Sequence, residues 1–273
     1  MSAAFQYNLK RRPFFISYCL LVTESEQKHI TSSSRVTLSA LLQAHLIRAL
    51  QTTYEEDISM NSFDTLIQKD FYDQYPKPKA LGIGGSPRKN GNSDVLLEHI
   101  LKGVRENKII GDKVQLREFQ YQACIGCEKC RKDKICTGIK DGMSLLYPRI
   151  FESQGLILVS PTHNYNITAL MKAFVDRLYC FYNFDDNRPR GWSSNLADQG
   201  RKAVLAAVCE QVDKDDMGFT LEAMRLPLKA LGYEIIGELP VFGIFDKAKV
   251  KEKKEILIAA SKLGADLAKS LLR

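Results

Sequence analysis

The feature that most constrains this chain is an alternation of short apolar segments with amphipathic segments, which begins at residue 79 and continues to the C-terminus. The apolar segments are rich in Val, Ile, Leu and Ala, which is typical of strands buried on both faces of a parallel sheet. The segments between them have apolar residues at i, i+3 and i+4, the spacing of helices that cover such a sheet. Five strands alternating with five helices predict a doubly wound, three-layer α/β domain with right-handed crossovers. The strands are predicted at 79–84, 113–117, 155–160, 201–209 and 234–239, and the helices at 93–106, 143–153, 168–179, 219–231 and 249–272.

The first 78 residues have a different pattern. An apolar run at 14–22 predicts a strand, and 36–50 predicts an amphipathic helix. The sequence YPKP at 75–78 is typical of a linker, because each proline disfavours helix at the residue before it. We therefore predict a small α/β extension over residues 1–78 and the main domain over 79–273.

Composition restricts where the protein acts and what it binds. The run at 14–22 lacks a signal-peptide cleavage pattern, and no apolar run approaches the roughly 20 residues of a membrane span. The formal net charge is +7, but the basic residues are dispersed, which argues against nucleic acid and suits an anionic cofactor or an acidic redox partner. Seven cysteines, four of them within 124–136, do not resemble a secreted disulfide scaffold. We therefore expect a cytoplasmic protein that binds neither membrane nor nucleic acid.

The loop after the first predicted strand reads GGSPRKNGNS over 84–93 and leads into a helix. A turn rich in Gly, Ser and Asn at a helix N-terminus presents several backbone N–H groups, and the helix dipole adds positive potential, which favours a phosphate. The loop matches neither GxxxxGK[ST] nor GxGxxG, so an NTPase site and a dinucleotide site are not favoured. The alternative is a tight strand–helix turn without a ligand. The candidate phosphate ligands are Ser86, Arg88, Asn92 and Ser93.

Four cysteines follow the second predicted strand with the spacing C-x2-C-x2-C-x5-C. They are Cys124, Cys127, Cys130 and Cys136. Zinc sites usually place two cysteine pairs more than about ten residues apart. A cubane iron–sulfur cluster, by contrast, accepts thiolates from a compact loop, although the Cys-Pro that often ends such runs is absent here. The spacing favours a [4Fe–4S] cluster, and a zinc ion or free redox-active thiols are the alternatives.

Two loops in the right order resemble a known family. GGSPRKNGNS is similar to the phosphate loop of the NAD(P)H-dependent FMN reductases and iron–sulfur flavoproteins. SPTHNYN at 160–166, followed by LMKAFVDR at 170–177, resembles the P-[TV]-[YH] turn and the LKAF-[IV]-DR helix of that family. The resemblance covers about 79–239 and implies a flavodoxin-like fold with strand order 2-1-3-4-5 that binds FMN. It also implies a [4Fe–4S] cluster in the cysteine loop, although some relatives have a similar loop and no cluster.

The resemblance also assigns residues to parts of FMN. It places the phosphate on the candidates in the first loop, Ser86, Arg88, Asn92 and Ser93. The second loop would lie along the isoalloxazine through Pro161, Thr162, His163, Asn164 and Asn166. His163 stands where tyrosine is common, so a histidine that only packs is an open alternative. The segment 209–213 is expected to flank the flavin, and the flavin rather than a protein acid or base carries the chemistry.

These observations predict an FMN-dependent oxidoreductase or electron-transfer flavoprotein that forms a homodimer or homotetramer. A small-molecule donor or acceptor, or a ferredoxin-like protein, would exchange electrons with it. Without a cluster, NAD(P)H would reduce the flavin directly and a quinone, free flavin or nitro compound would accept. The alternatives are a non-enzymatic flavodoxin-type carrier and a redox-sensing interaction protein. An aromatic group at 181–184 and Trp192 either covers the flavin or packs as a loop or dimer interface.

Overall fold

The computed structural model describes residues 78–272, so the predictions made for residues 1–77 lie outside the described residues. The described part contains a five-stranded parallel sheet and a separate two-stranded antiparallel hairpin. The strands are β1 Lys79–Gly84, β2 Ile110–Gln115, β3 Gly155–Pro161, β4 Tyr182–Phe184, β5 Trp192–Ser194, β6 Lys202–Val208 and β7 Glu234–Val241. The helices are α1 Asn92–Glu106, α2 Cys130–Asp133, α3 Tyr147–Phe151, α4 Ala169–Arg177, α5 Thr220–Ala230 and α6 Lys254–Leu271.

The strand order of the large sheet is β2-β1-β3-β6-β7. Because β6 and β7 are the fourth and fifth strands of this sheet, the order is the predicted 2-1-3-4-5, and the flavodoxin-like fold is confirmed. The order reverses between β1 and β3, and ligands of such folds bind beyond the carboxyl ends of the strands at this point. The sheet therefore places the loops after β1 and β3 side by side.

Both faces of the sheet are buried, as the apolar strands predicted. In β3, Leu156 and Leu158 pack in one core, whereas Ile157 and Val159 pack in the other. All four are at most 1% exposed. Helices α1 and α6 cover one face, and α3, α4 and α5 cover the other. None of the helices described between residues 78 and 272 is long and apolar enough to cross a bilayer.

Five elements differ from the predictions. The helix predicted at 249–272 is a 3₁₀ turn over Lys249–Glu252 followed by α6 from Lys254, and the four-residue helix α2 was not predicted. Strand β2 begins at Ile110 rather than at 113, because its first residues lie at the exposed edge of the sheet and leave no apolar signal. The predicted helix at 143–153 is a 3₁₀ turn followed by α3, which begins at Tyr147 and has Pro148, a residue favoured in the first helical turn, as its second residue. The hairpin β4–β5 was not predicted, because strands of three residues are too short to show alternation.

Candidate functional site

A pocket of about 110 Å³ lies at the carboxyl edge of the sheet, where the N-terminus of α1 faces the loops after β1, β3, β6 and β7. Seven of the nine residues predicted to bind FMN line it: Ser86, Arg88, Asn92, Ser93, Pro161, Thr162 and His163. Asn164 and Asn166 do not line it; they lie in the exposed turn beside it. The structure thus brings the two predicted loops together at one site.

The N-terminus of α1 has the properties of an anion site. Gly91 is the N-cap and no side chain caps the helix. Among residues 78–272, the backbone N–H groups of Gly91, Asn92 and Ser93 have no hydrogen-bond acceptor. Asn92 and Ser93 are nevertheless only 8% and 2% exposed. Buried N–H groups at a helix start require an acceptor, so this end of the pocket fits the phosphate of FMN.

The side chain of Asn92 has a different role from the predicted phosphate contact. Its Nδ2 donates to the carbonyl of Asp246 at 2.9 Å, and its Oδ1 accepts from the N–H of Val250 at 3.1 Å. These bonds tie the phosphate loop to the segment after β7. The side chain therefore holds the pocket together, while the backbone N–H of Asn92 is the group free for an anion.

The segment after β7 contributes pocket residues that the sequence analysis missed. Ile244, Phe245 and Lys247 line the pocket. The guanidinium of Arg88 lies 4.5 Å from the ring centre of Phe245 and donates to its carbonyl at 3.3 Å. Lys247 is exposed and has no hydrogen bond or ion pair within residues 78–272. The position of these residues in the chain could have identified them, because this segment follows the fifth strand of the sheet, at the edge where ligands bind.

The second loop is a tight turn at the mouth of the pocket. His163 and Asn166 exchange backbone hydrogen bonds of 2.8 and 3.1 Å. Asn164 and Tyr165 between them have φ of 49° and 63°, a left-handed conformation that Asn tolerates better than most residues. All four residues are exposed. The turn therefore offers polar groups to a ligand lying beside it.

Side chains connect this turn to the neighbouring loops. Thr168 Oγ1 donates to the carbonyl of Gly85 at 2.7 Å and accepts from the N–H of Met171, so it joins the first loop to the start of α4. The N–H of Phe219 donates to the carbonyl of Tyr165 at 2.8 Å. A Cβ on Gly218, which has φ of 53°, would lie 2.3 Å from that carbonyl, so only glycine fits there. Three of the loops are thus fixed to one another around the pocket.

The four cysteines line a second pocket, of about 210 Å³. Cys124 and Cys127 are exposed at its mouth, whereas Cys130 and Cys136 are half-buried. Ile125, Ile139 and Tyr179 complete its wall. Within residues 78–272, no group of three or more His, Cys, Asp or Glu side chains is arranged to hold a metal ion. The four thiols therefore line one pocket, but their side chains are not arranged as the ligands of a metal ion.

The electrostatics of this pocket favour the protonated thiol of Cys130. Burial, followed by the neighbouring thiols of Cys136, Cys124 and Cys127, raises the pKa of Cys130 to about 11. Burial also raises the pKa of Cys180 well above its ordinary value. Cys180 is 1% exposed and belongs to the core against which Cys130 and Cys136 pack. A metal that binds here must displace protons from the thiols.

The hairpin β4–β5 rests on the cysteine loop. Arg131 donates to the carbonyl of Asp185 at 3.3 Å and to the carboxylate of Asp186 at 3.0 Å. Arg190 forms an ion pair with Glu128 at 2.8 Å. The ring of Tyr179, which lines the cysteine pocket, stacks on Phe184 with ring centres 4.8 Å apart. Of the aromatic group, Phe181 is buried in the core, and Phe184 packs on Tyr179 beside the cysteine pocket.

Comparison with known proteins places the chain among flavoproteins. Residues 78–212 match the family model of NADPH-dependent FMN reductase. The chain is 30% identical over 192 residues to an iron–sulfur flavoprotein of Archaeoglobus fulgidus, a match that covers 70% of this chain and 80% of that protein. It is also 33% identical over 99 residues to an iron–sulfur flavoprotein of Methanocaldococcus jannaschii. That match covers 36% of this chain and 51% of the other protein.

A solved structure supports the fold. The NAD(P)H:quinone oxidoreductase of Methanothermobacter marburgensis superposes on 70% of this chain and on all of its own length, with a TM-score of 0.53 and 18% sequence identity. At this identity the superposition supports the flavodoxin-like architecture and not a shared substrate.

Proposed function

The chain belongs to the family of iron–sulfur flavoproteins and NADPH-dependent FMN reductases, and on this premise we propose that its four clustered cysteines bind a [4Fe–4S] cluster beside FMN. The protein is an FMN-dependent oxidoreductase. The observation that carries the proposal is that Cys124, Cys127, Cys130 and Cys136 line one pocket of about 210 Å³. Compact cysteine loops of this kind are typical of cubane clusters.

Different residues of the first pocket suit different parts of FMN. The N–H groups of Gly91, Asn92 and Ser93, with the charges of Arg88 and Lys247, suit the phosphate. The turn from His163 to Asn166 suits the edge of the isoalloxazine, where polar groups orient the ring. FMN, when bound, supplies the redox chemistry because it can hold one or two electrons. The protein needs no acid or base of its own for this.

The second pocket has the donor set that an iron–sulfur cluster needs. Its four thiols share a pocket with Ile139, a half-buried apolar side chain that limits the access of water to this part of the pocket. Lys129 and Lys132 are exposed on the same loop, and Arg131 is half-buried. Their charges would offset the negative charge of four thiolates. The cysteine loop would thus admit electrons one at a time to the flavin site.

The surroundings of the exposed cysteines suit a protein partner. Ile125, 64% exposed, stands between Cys124 and Cys127, with Lys129 and Lys132 close by in the chain. An exposed apolar side chain near basic residues complements a partner protein with an acidic surface. We propose that a ferredoxin-like protein exchanges electrons here and that a small molecule does so at the flavin, within a homodimer or homotetramer.

A second candidate function is a cluster-free FMN reductase that takes hydride from NAD(P)H. The observation that favours it is the lack of a preformed metal-ligand group within residues 78–272. In that case the cysteines would remain thiols, and electrons would enter and leave only through the flavin.

Anaerobic purification with analysis of iron, sulfide and zinc decides between the two candidates. The proposal expects iron and acid-labile sulfide in equal amounts, together with a flavin spectrum. Cys130→Ser should lower the iron content and leave FMN bound, whereas Cys209→Ala, a buried cysteine outside the pocket, should leave iron unchanged. A flavin spectrum with no iron after reconstitution with ferrous iron and sulfide would reject the cluster, and NAD(P)H-dependent quinone reduction would then support the second candidate.

The phosphate assignment has its own test in Lys247. Lys247→Ala should weaken FMN binding about tenfold to a hundredfold, because a charged hydrogen bond contributes about 1.5–3 kcal/mol. Riboflavin, which lacks the phosphate, should bind the variant and the original protein equally well. Lys251→Ala is the matched control, since Lys251 is exposed on the same segment outside the pocket. Equal FMN affinity in Lys247→Ala would contradict the assignment. Flavin fluorescence titration measures all of these.

A further inference from the structure

A buried ion pair lies at the base of the cysteine loop. Arg177, the last residue of α4, donates from Nη1 to Asp141 Oδ2 at 2.8 Å and from Nη2 to Asp141 Oδ1 at 3.0 Å. The two side chains are only 1% and 9% exposed. Two parallel charge-assisted bonds give this contact a defined geometry.

The same two side chains bind both ends of the cysteine loop. Arg177 donates to the carbonyl of Gln122 at 3.0 Å and to that of Ile139 at 3.4 Å. Asp141 accepts from the N–H of Gln122 at 2.9 Å. Gln122 lies two residues before the first cysteine, and Ile139 lies three residues after the last. A single ion pair therefore joins the chain that enters the loop to the chain that leaves it.

The pair is charged in the folded protein. Burial raises the pKa of the Asp141 carboxyl. Hydrogen bonds from Arg177 and from the N–H groups of Gln122 and Met143 lower it by more than burial raises it, so the net pKa is below its ordinary value. A buried carboxylate and a buried guanidinium are each costly without the other. Separating the two side chains would leave each buried charge without its partner, so the ion pair keeps the loop base closed.

Between its ends, the first part of the loop has little to hold it, whereas Glu128 and Arg131 contact the hairpin and Cys130 and Cys136 pack against the core. Cys124 and Cys127 are exposed, α2 is a helix of four residues, and Gly126 has φ of 65° with no neighbour within 4 Å of a Cβ placed there. The positions of Cys124 and Cys127 relative to the other two thiols therefore depend strongly on the closed base. The same helix α4 begins just after the flavin turn, eight residues or about 12 Å from Arg177, so it fixes the spacing between the loop base and the flavin site.

We propose that Arg177 and Asp141 are positioning residues that close the cysteine loop before any metal binds, and so set how tightly the four cysteines hold a cluster. The inference rests on the proposed function, because the cluster is the group whose binding it concerns. A closed base removes part of the conformational entropy that metal binding would otherwise have to overcome. Groups that orient metal ligands typically change metal affinity about 10- to 100-fold.

The test compares Arg177→Lys with the original protein, both saturated with FMN and reconstituted anaerobically with ferrous iron and sulfide. Lysine keeps the charge but cannot bridge two carboxylate oxygens and two carbonyls at once. We expect the chelator concentration that removes half of the iron to fall about 10- to 100-fold in the variant, with FMN per chain unchanged. A merely structural role would lower iron and FMN together. The control is Arg225→Lys, which alters an ion pair between α5 and β7 in which Nη1 of Arg225 donates to both carboxylate oxygens of Glu238.

Trypsin provides a readout without metal. Cleavage after Lys129, Arg131 and Lys132 in the metal-free protein should be faster in Arg177→Lys, since the loop base is open. If the original protein takes up no iron, the proposed function fails, and the cleavage rate still tests whether the base is closed.

Iron held as tightly in Arg177→Lys as in the original protein would overturn the inference. If Arg177→Lys takes up no FMN, Asp141→Glu replaces it: both charges remain, but the extra methylene shifts the carboxylate out of register with Arg177 and Gln122. Equal iron retention in Asp141→Glu would also overturn the inference, whereas a 10- to 100-fold loss with FMN bound would support it.

Discussion

At the scale of single residues, Asn92 connects two segments that are far apart in the chain. Its side chain bonds to the carbonyl of Asp246 and the N–H of Val250, and Val250 is fully buried. We expect Asn92→Ala to lower the free energy of unfolding of the FMN-free protein by about 1–3 kcal/mol, because buried polar groups lose their partners. Urea denaturation measures this. Lys89→Ala, an exposed change in the same loop, should stay within about 0.5 kcal/mol. An unchanged midpoint for Asn92→Ala would show that the bridge contributes nothing.

The thiol of Cys130 should react slowly in the metal-free protein. Its pKa is raised to about 11 by burial and by the neighbouring thiols, so the reactive thiolate is scarce at neutral pH. An ordinary thiol has a pKa of about 8.5, so at pH 8 alkylation of Cys130 by iodoacetamide should be slower on the order of a hundredfold. The rate should continue to rise about tenfold per pH unit between pH 9.5 and 10.5, where an ordinary thiol has levelled off.

Mass spectrometry of the alkylated peptides follows this reaction at one site. The same protein unfolded in urea is the control, since there the thiol loses both its burial and its neighbours. A rate in the folded protein that levels off near pH 9 would show that poor access alone slows the reaction, and that the pKa of Cys130 is not raised.

The residues that sequence could identify are those in a contiguous motif. The phosphate loop and the cysteine spacing are each readable because chemistry-bearing residues stand close together in the chain. Lys247 and the pair Arg177–Asp141 are not, because they reach their sites only through the fold. Asp141 is 36 residues from Arg177 in the chain, and their contact depends on how α4 packs beside the cysteine loop. No local pattern encodes such a contact.

At the scale of secondary-structure elements, the sequence predicted best the strands that are buried on both faces of the sheet. Strand β3 was predicted to within a residue because every position from Gly155 to Ser160 is buried, so the whole segment is apolar. Strand β2 lies at the sheet edge and was displaced by three residues at its start. The hairpin β4–β5 was missed altogether, since contacts with the cysteine loop hold it rather than a pattern of its own.

The hairpin offers a direct probe of those contacts, because Trp192 in β5 is the single tryptophan of the chain. Arg131→Ala removes the bonds to Asp185 and Asp186 that hold the hairpin. We expect Trp192 emission to shift to the red and its quenching by acrylamide to increase. Global stability should fall by no more than about 1 kcal/mol, since the ion pair with Asp186 is largely exposed.

Lys132→Ala is the matched control, because Lys132 lies on the same short helix α2 and is exposed. Its Trp192 emission should equal that of the original protein. If Arg131→Ala also leaves the emission and quenching unchanged, the hairpin is held by aromatic packing of Phe184 on Tyr179 rather than by Arg131.

At the scale of the whole molecule, the described residues 78–272 contain the pocket at the carboxyl edge of the sheet, the cysteine pocket and a large apolar core on each face of the sheet. The five-stranded sheet is covered on its two faces by helices from the same segment. These are the properties of a domain that can fold alone. The separation of the extension predicted for residues 1–78 from the main domain stays a prediction.

Deletion of residues 1–77 tests that separation. We expect the remaining chain to fold, to bind FMN with a free energy within about 0.5 kcal/mol of the full chain, and to take up the same amount of iron. Folding is measured by the rise in unfolding temperature with FMN, since a ligand at 100 times its Kd stabilises by about 2.7 kcal/mol. The full chain measured in parallel is the control, and size-exclusion chromatography with light scattering reports the oligomeric state of each.

The outcomes separate three roles for the extension. Unchanged FMN affinity, iron content and oligomeric state would leave the binding of another partner as its remaining role. Loss of the oligomer with FMN still bound would make it an assembly arm. Loss of FMN binding would contradict the prediction, because it would mean that a group from residues 1–77 completes a pocket whose lining, between Ser86 and Lys247, already contains the donors that a phosphate needs.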